Sequence, residues 1–190
     1  MATKPRATPR ATPRATIEDL YHVPDNGKAE IVNGELVRMS PTGGLPGRAS
    51  GAIYVSLRLY ERKAGGRAYP DNVGFLVKLP HRESFSPDAA FYTGGPPGMK
   101  FLEGAPVFAV EVRSESNDGP AAEKTLAEKR SDYFAAGTRV VWDVDLLSKD
   151  VVKVYRATDP HNPTVYRRGE VAEAEPAVPG WSMPVDDLFA

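Results

Sequence analysis

The feature that most constrains this chain is a strand–helix–strand succession in its second half. Residues 106–113 read PVFAVEVR, the most apolar run in the sequence, and residues 139–145 read RVVWDVD. Between them, residues 121–136 carry apolar side chains at helical spacing and stop at Gly137. Two apolar strands linked by a helix fit one βαβ crossover, the connection that joins parallel neighbours in a sheet.

The rest of the chain adds strands on both sides of that unit. Thr16 is placed to cap the acidic segment Ile17-Glu18-Asp19-Leu20. Strands are predicted at residues 29–32 and 35–39, joined by Asn33-Gly34, a pair that tolerates the positive φ of a two-residue hairpin turn. Residues 40–47, SPTGGLPG, predict a loop. From residue 48 to residue 64, Ala49, Ile53, Leu57, Tyr60 and Ala64 recur at helical spacing, and Gly65-Gly66 ends the helix. Further strands are predicted at 67–69, 74–79 and 87–92, and after the crossover at 151–156 and 164–167. The pattern predicts an α/β fold with a mixed sheet, flanking helices and added hairpins at both ends, in a single domain over residues 17–190. Residues 1–16 repeat Ala-Thr-Pro-Arg, and proline at every fourth position opposes helix and ladder alike. They predict a disordered tail, read as a solubilising leader in preference to a basic arm for nucleic acid.

Composition removes several chemistries. There is no cysteine, so disulfides, thiolate zinc sites and cysteine nucleophiles are excluded. His22, His81 and His161 lie in no nucleophile elbow and have no ligand-like spacing. No apolar run reaches the roughly 20 residues that span a bilayer, and the N-terminus lacks the apolar core of a secretory signal. A cytoplasmic protein is expected. Charge argues against a phosphate-gripping surface: without Lys4, Arg6, Arg10 and Arg14, 20 basic residues face 25 acidic ones.

Two acids stand where buried strands are expected. Asp88 follows Pro87 at the head of one strand, and Glu111 sits inside 106–113 on the face of Ala109 and Arg113, opposite Phe108, Val110 and Val112. A buried carboxylate needs a compensating charge. Either a hard cation such as Mg²⁺ or a salt bridge supplies it; Arg113 and Arg139 are partners for Glu111, and Asp88 has the alternative of capping a turn. On the helix, Ala122, Leu126, Lys129 and Tyr133 form one stripe, which places Lys129 on the face packed against the sheet. It either snorkels outward or finds an anionic partner, and Glu111 lies on the preceding strand.

Taken in order, the segments EIVNGELVRMSP (30–41), SPDAAF (86–91), VEVRS (110–114), Lys129 with Tyr133 and Gly137, VWDVD (141–145) and VKVYR (152–156) resemble the Uma family of restriction endonucleases. That family lies within the PD-(D/E)XK nuclease superfamily. The resemblance covers residues 28–157 and implies a restriction-endonuclease-like core with the active site where strands diverge. It implies that Asp88, Glu111 and the backbone carbonyl of Val112 hold Mg²⁺, with Mn²⁺ as a substitute. Lys129 would stand in for the motif lysine, and Glu30 would bind metal or orient the groups around it. Where the motif has lysine two residues after the glutamate, this chain has Arg113. Arginine cannot act as a base, so Arg113 is assigned to substrate binding or charge balance. Glu115 and Pro46 also depart from the family pattern. The implied activity is hydrolysis of DNA phosphodiester bonds, with homodimerisation as a way to cut both strands. The alternatives are a catalytically degenerate protein of the same fold, retained for binding or complex assembly, and a nuclease acting on RNA or single strands.

Overall fold

The computed structural model describes residues 14–115 and 119–190. In chain order the elements are α1 (Ile17–Tyr21), β1 (Ala29–Val32), β2 (Glu35–Arg38), α2 (Gly44–Ala64), β3 (Arg67–Tyr69), β4 (Phe75–Leu76), β5 (Ser84–Phe85), β6 (Ala89–Tyr92) and β7 (Leu102–Glu103). They continue with β8 (Phe108–Val112), α3 (Pro120–Ala135), β9 (Val140–Val144), β10 (Val152–Arg156), β11 (Asp159–Tyr166), β12 (Val171–Glu173), β13 (Ser182–Pro184) and a 3-10 turn, Val185–Phe189. Residues 1–13 of the expected tail lie outside the described residues. Arg14 reaches Glu83 at 2.9 Å, and the Ala15 N–H donates to the Gly34 carbonyl at 2.7 Å.

A six-stranded mixed sheet, in the order β11-β10-β9-β8-β6-β3, organises the molecule. β8 and β9 run parallel from Phe108 opposite Val140 to Val112 opposite Val144, with α3 as their crossover; the other pairs are antiparallel. Alternation divides β8 as its sequence requires. Phe108, Val110 and Val112 face a core made with Ile53 and Leu57 of α2 and with Trp142, Trp181 and Leu188. Ala109 faces a second core with Phe75, Phe85, Val141 and Tyr133 of α3. A third, smaller cluster of Leu20, Val23 and Ile31 fixes the β1–β2 hairpin to α1. Among the described residues no helix is long and apolar enough to cross a membrane.

Helix α2 begins at Gly44, inside the segment expected to be a loop. Pro46 falls in its first turn, where backbone N–H groups have no intrahelical acceptor and proline costs nothing. The hairpin turn is as expected, with φ of 53° at Asn33 and 77° at Gly34. Strands β5, β7, β12 and β13 span only two or three residues each, too few to impose an alternation that could be read.

Gly137 stops α3 at a φ of 106°, and a Cβ added there would meet nothing within 4 Å. Gly137→Ala therefore isolates the backbone cost of a positive φ. It is expected to lower stability by about 1–2 kcal/mol, read as a shift in the urea midpoint at constant slope.

Candidate active site

The site forms where β6 and β8 part. Pro87 has no N–H to continue a ladder. The Asp88 N–H donates to the Val110 carbonyl at 2.9 Å, and the Asp88 carboxylate then replaces a strand partner by accepting the Val112 N–H at 2.8 Å. Glu111, the next residue on β8, is brought beside it. Both carboxylates line a cleft of about 310 Å³ together with Lys28, Ser40, Val112 and Leu126.

Lys129 does not snorkel. Its Nζ lies 2.8 Å from Glu111 Oε1 and 3.0 Å from Glu30 Oε1, and its side chain is 13% exposed. The Tyr133 hydroxyl, one helical turn on, donates to Glu111 Oε1 at 2.7 Å. Glu30 reaches this point because β1 is held against residues 81–86: the Ile31 N–H donates to Ser84 Oγ at 2.9 Å, and the Ser86 N–H donates to Glu30 Oε1 at 2.8 Å. Behind Glu30, Arg82 donates to Glu30 at 2.6 Å and to Asp132 at 2.7 Å, and Asp132 also pairs with His81 at 2.7 Å. On the opposite side Lys28 bridges Asp88 and Asp71, at 2.6 Å to each.

The charges set one another. Burial pushes the Glu30 carboxyl up, but Lys129, Arg82 and the Ser86 N–H outweigh it and hold the group below its ordinary range. Glu111 moves the other way: burial raises it, Asp88 and Glu30 add to the rise, and Lys129 compensates only in part. Burial pulls both lysines down, yet Glu111 and Glu30 raise Lys129, and Asp88 and Glu111 raise Lys28. Burial also lifts the Tyr133 phenol well above its usual value, with Glu111 the next contributor, so the group is a hydrogen-bond donor at neutral pH.

Glu111 is thus brought together with Lys129 and Glu30 on one side and shares the cleft with Asp88 and Val112 on the other, Lys129 and Glu30 lining the neighbouring cavity that Glu111 also borders. Arg113 lines the cleft too. Its guanidinium makes a fork with Asp143, with Nε and Nη2 each 2.7 Å from a carboxylate oxygen, and it also binds Glu123. Its N–H groups are engaged by two carboxylates while the residue lines the cleft beside Asp88 and Glu111, an arrangement that balances charge at the site. Asp143 stands directly opposite Glu111 in the β8–β9 pairing and draws the arginine across the sheet. Sequence reasoning missed Lys28. The period of two that puts Glu30 on one face of β1 also places Lys28 there, which was the available signal. Helical spacing puts Tyr133 on the stripe with Lys129, but nothing in that spacing separates a buried phenol from a hydrogen-bonded one.

The donor set fits a hard divalent cation. Two carboxylates share one cleft, and Glu111 is burdened by neighbouring negative charge that such an ion would relieve. Among the described residues no group of three or more His, Cys, Asp or Glu converges as a ligand cage. A two-carboxylate site leaves water to fill the remaining positions around such an ion.

Comparison with known proteins agrees with this architecture. The model of the Uma2 family, described as "Putative restriction endonuclease", matches residues 15–186. Comparison with curated proteins gives no match. Among solved structures, a "putative nuclease belonging to DUF820" from Anabaena variabilis ATCC 29413 is similar in fold. Its TM-score is 0.69 at 15% identity, covering 92% of this chain and 97% of that one.

Proposed function

The chain belongs to the Uma2 restriction-endonuclease family, and from that premise we propose that it hydrolyses DNA phosphodiester bonds at the Asp88–Glu111–Lys129 cleft. The observation that carries the reading is the Lys129 ammonium, 2.8 Å from Glu111 and 3.0 Å from Glu30. Asp88, Glu111 and the Val112 carbonyl would hold Mg²⁺, with Mn²⁺ as a substitute. When bound, the ion supplies a Lewis acid for the scissile phosphate and a water of lowered pKa.

The chain's own groups define the remaining roles. Lys129 keeps its proton at neutral pH, so it cannot serve as the base that deprotonates water. It acts as a fixed positive charge that orients Glu111 and offsets the charge developing on the phosphate. Tyr133 donates to the same carboxylate and fixes its rotation from the helix side. Glu30 holds Lys129 in place and is itself held by Arg82 and the Ser86 N–H. A two-fold dimer would present one such cleft to each strand of a duplex. A second reading, a catalytically degenerate protein of the same fold, is favoured by Lys28, whose ammonium already neutralises Asp88 at 2.6 Å.

The test is conversion of supercoiled plasmid to nicked circles by the purified full chain. Mg²⁺ or Mn²⁺ is expected to support conversion, and excess chelator to abolish it. Single-stranded DNA and RNA of matched length report substrate class. No conversion with either metal, or equal conversion in chelator, overturns the proposal.

A further inference from the structure

Lys28 stands immediately before β1, and its side chain is 12% exposed. Its ammonium contacts two carboxylates of different kinds. Asp88, 13% exposed, lines the cleft, whereas Asp71, 35% exposed, sits in the turn after β3 and also accepts the Asn72 N–H at 2.7 Å. Asp88 does not depend on Lys28 for its orientation, because the Val112 N–H donates to its other oxygen at 2.8 Å. Nor does Lys28 depend on Asp88 alone, since Asp71 binds it at the same 2.6 Å. The ammonium therefore has a partner outside the cleft on which it can remain if Asp88 turns to another cation. An ammonium and a divalent ion that share one carboxylate repel each other, and each weakens the other's hold on it.

We propose that Lys28 is a positioning residue that sets the site's affinity for divalent cations, with Asp71 retaining its charge when Asp88 engages the ion. The inference rests on the metal-dependent reading of the cleft. It assigns Lys28 a function distinct from that of Lys129: Lys129 is enclosed by Glu111 and Glu30 as a fixed part of the site, whereas Lys28 is shared between the cleft and a turn beside it. Asp71 is the second element of the device, since a lysine without it would remain wholly on Asp88.

Calorimetric titration of the full chain with MnCl₂ tests this without reference to activity. Lys28→Met is expected to bind Mn²⁺ about tenfold more tightly than wild type, the scale of one unit charge repelling a divalent ion across a few ångströms of water-like medium. Asp71→Asn is expected to bind several-fold more weakly, because the ammonium then sits on Asp88 alone. Lys28→Arg, which keeps the charge, stays nearer wild type than Lys28→Met. If Lys28 served only to hold the fold, its loss would weaken binding, so unchanged or weaker binding by Lys28→Met overturns the inference. Should that variant fail to fold in a thermal melt, Asp71→Asn decides alone, and unchanged or tighter binding refutes it. Wild type that takes up no Mn²⁺ removes the metal reading and this inference together, whereas wild type that binds while Lys28→Met does not tighten removes the inference only.

Discussion

Asp88→Ala is expected to lose roughly a thousandfold of metal-dependent plasmid nicking while the fold survives. A metal Lewis acid is worth several kcal/mol of transition-state stabilisation, and each 1.36 kcal/mol is tenfold in rate. The fold is spared for reasons visible around the residue. Lys28 keeps Asp71 at 2.6 Å, and the Val112 N–H would open onto a cleft of about 310 Å³, large enough for water to reach it. The measurement is initial nicking rate at saturating Mg²⁺, beside a urea midpoint for the same preparation. A rate within tenfold of wild type, with the midpoint unchanged, would remove Asp88 from the chemistry. A large loss of both would instead mark the carboxylate as a structural cap on β8, the part its hydrogen bond to Val112 already plays.

Much of this site is written in local pattern. Glu111 inside a run of Phe, Ala and Val, and Lys129 on the apolar stripe of the following helix, are each an anomaly that a single strand or helix exposes. A parallel crossover then forces the helix to lie over the strand that precedes it, so the meeting of these two residues is a topological consequence of adjacent elements. The pairing of Glu30 with Lys129 is less local: it depends on β1 docking against residues 81–86, through bonds from Ser86 and Arg82 whose partners lie 56 and 52 residues away. Nothing nearby in sequence marks Arg82 and Asp132 as buried. Arg113 was legible as a departure from the family motif, but its destination was not. Only the pairing register of β8 with β9 reveals Asp143 facing Glu111, where it takes the guanidinium in a two-point fork at 2.7 Å. In the fold, the apolar runs of β8 and β9 were readable, while β5, β7, β12 and β13, of two or three residues each, owe their form to neighbours and carry no period of their own.

Lys129→Met is expected to cost about 3–5 kcal/mol of folding stability, the range for removing one partner from a buried ion pair. An unbranched apolar stem of similar length is preserved, so packing changes little and the loss is electrostatic. Glu30, 4% exposed, keeps Arg82, whereas Glu111, 16% exposed, keeps only the Tyr133 hydroxyl and the more distant Lys28. The pH dependence carries the sign. In wild type, Lys129 has its pKa raised, so its contribution is fully present below the unfolded value near 10.4 and is lost as pH climbs through the folded value. Glu30, held low, contributes above the unfolded value near 4.3, and that contribution fades as pH falls through its folded value. Glu111, held high, already opposes folding when ionised and is relieved by protonation as pH falls through its raised value. Without the ammonium both acids shift upward, so the variant gains stability on acidification relative to wild type. The gap between the two urea midpoints should be wide at pH 7.5 and narrower at pH 5. A gap below 1 kcal/mol at pH 7.5, or one that widens toward pH 5, would mean that the carboxylates are solvated and the ammonium is not what holds them together. Because this substitution moves stability as well as chemistry, its nicking rate has meaning only well below its own unfolding midpoint. Read there, a loss comparable to that of Asp88→Ala ties the charge that holds the acids together to the charge that serves the phosphate.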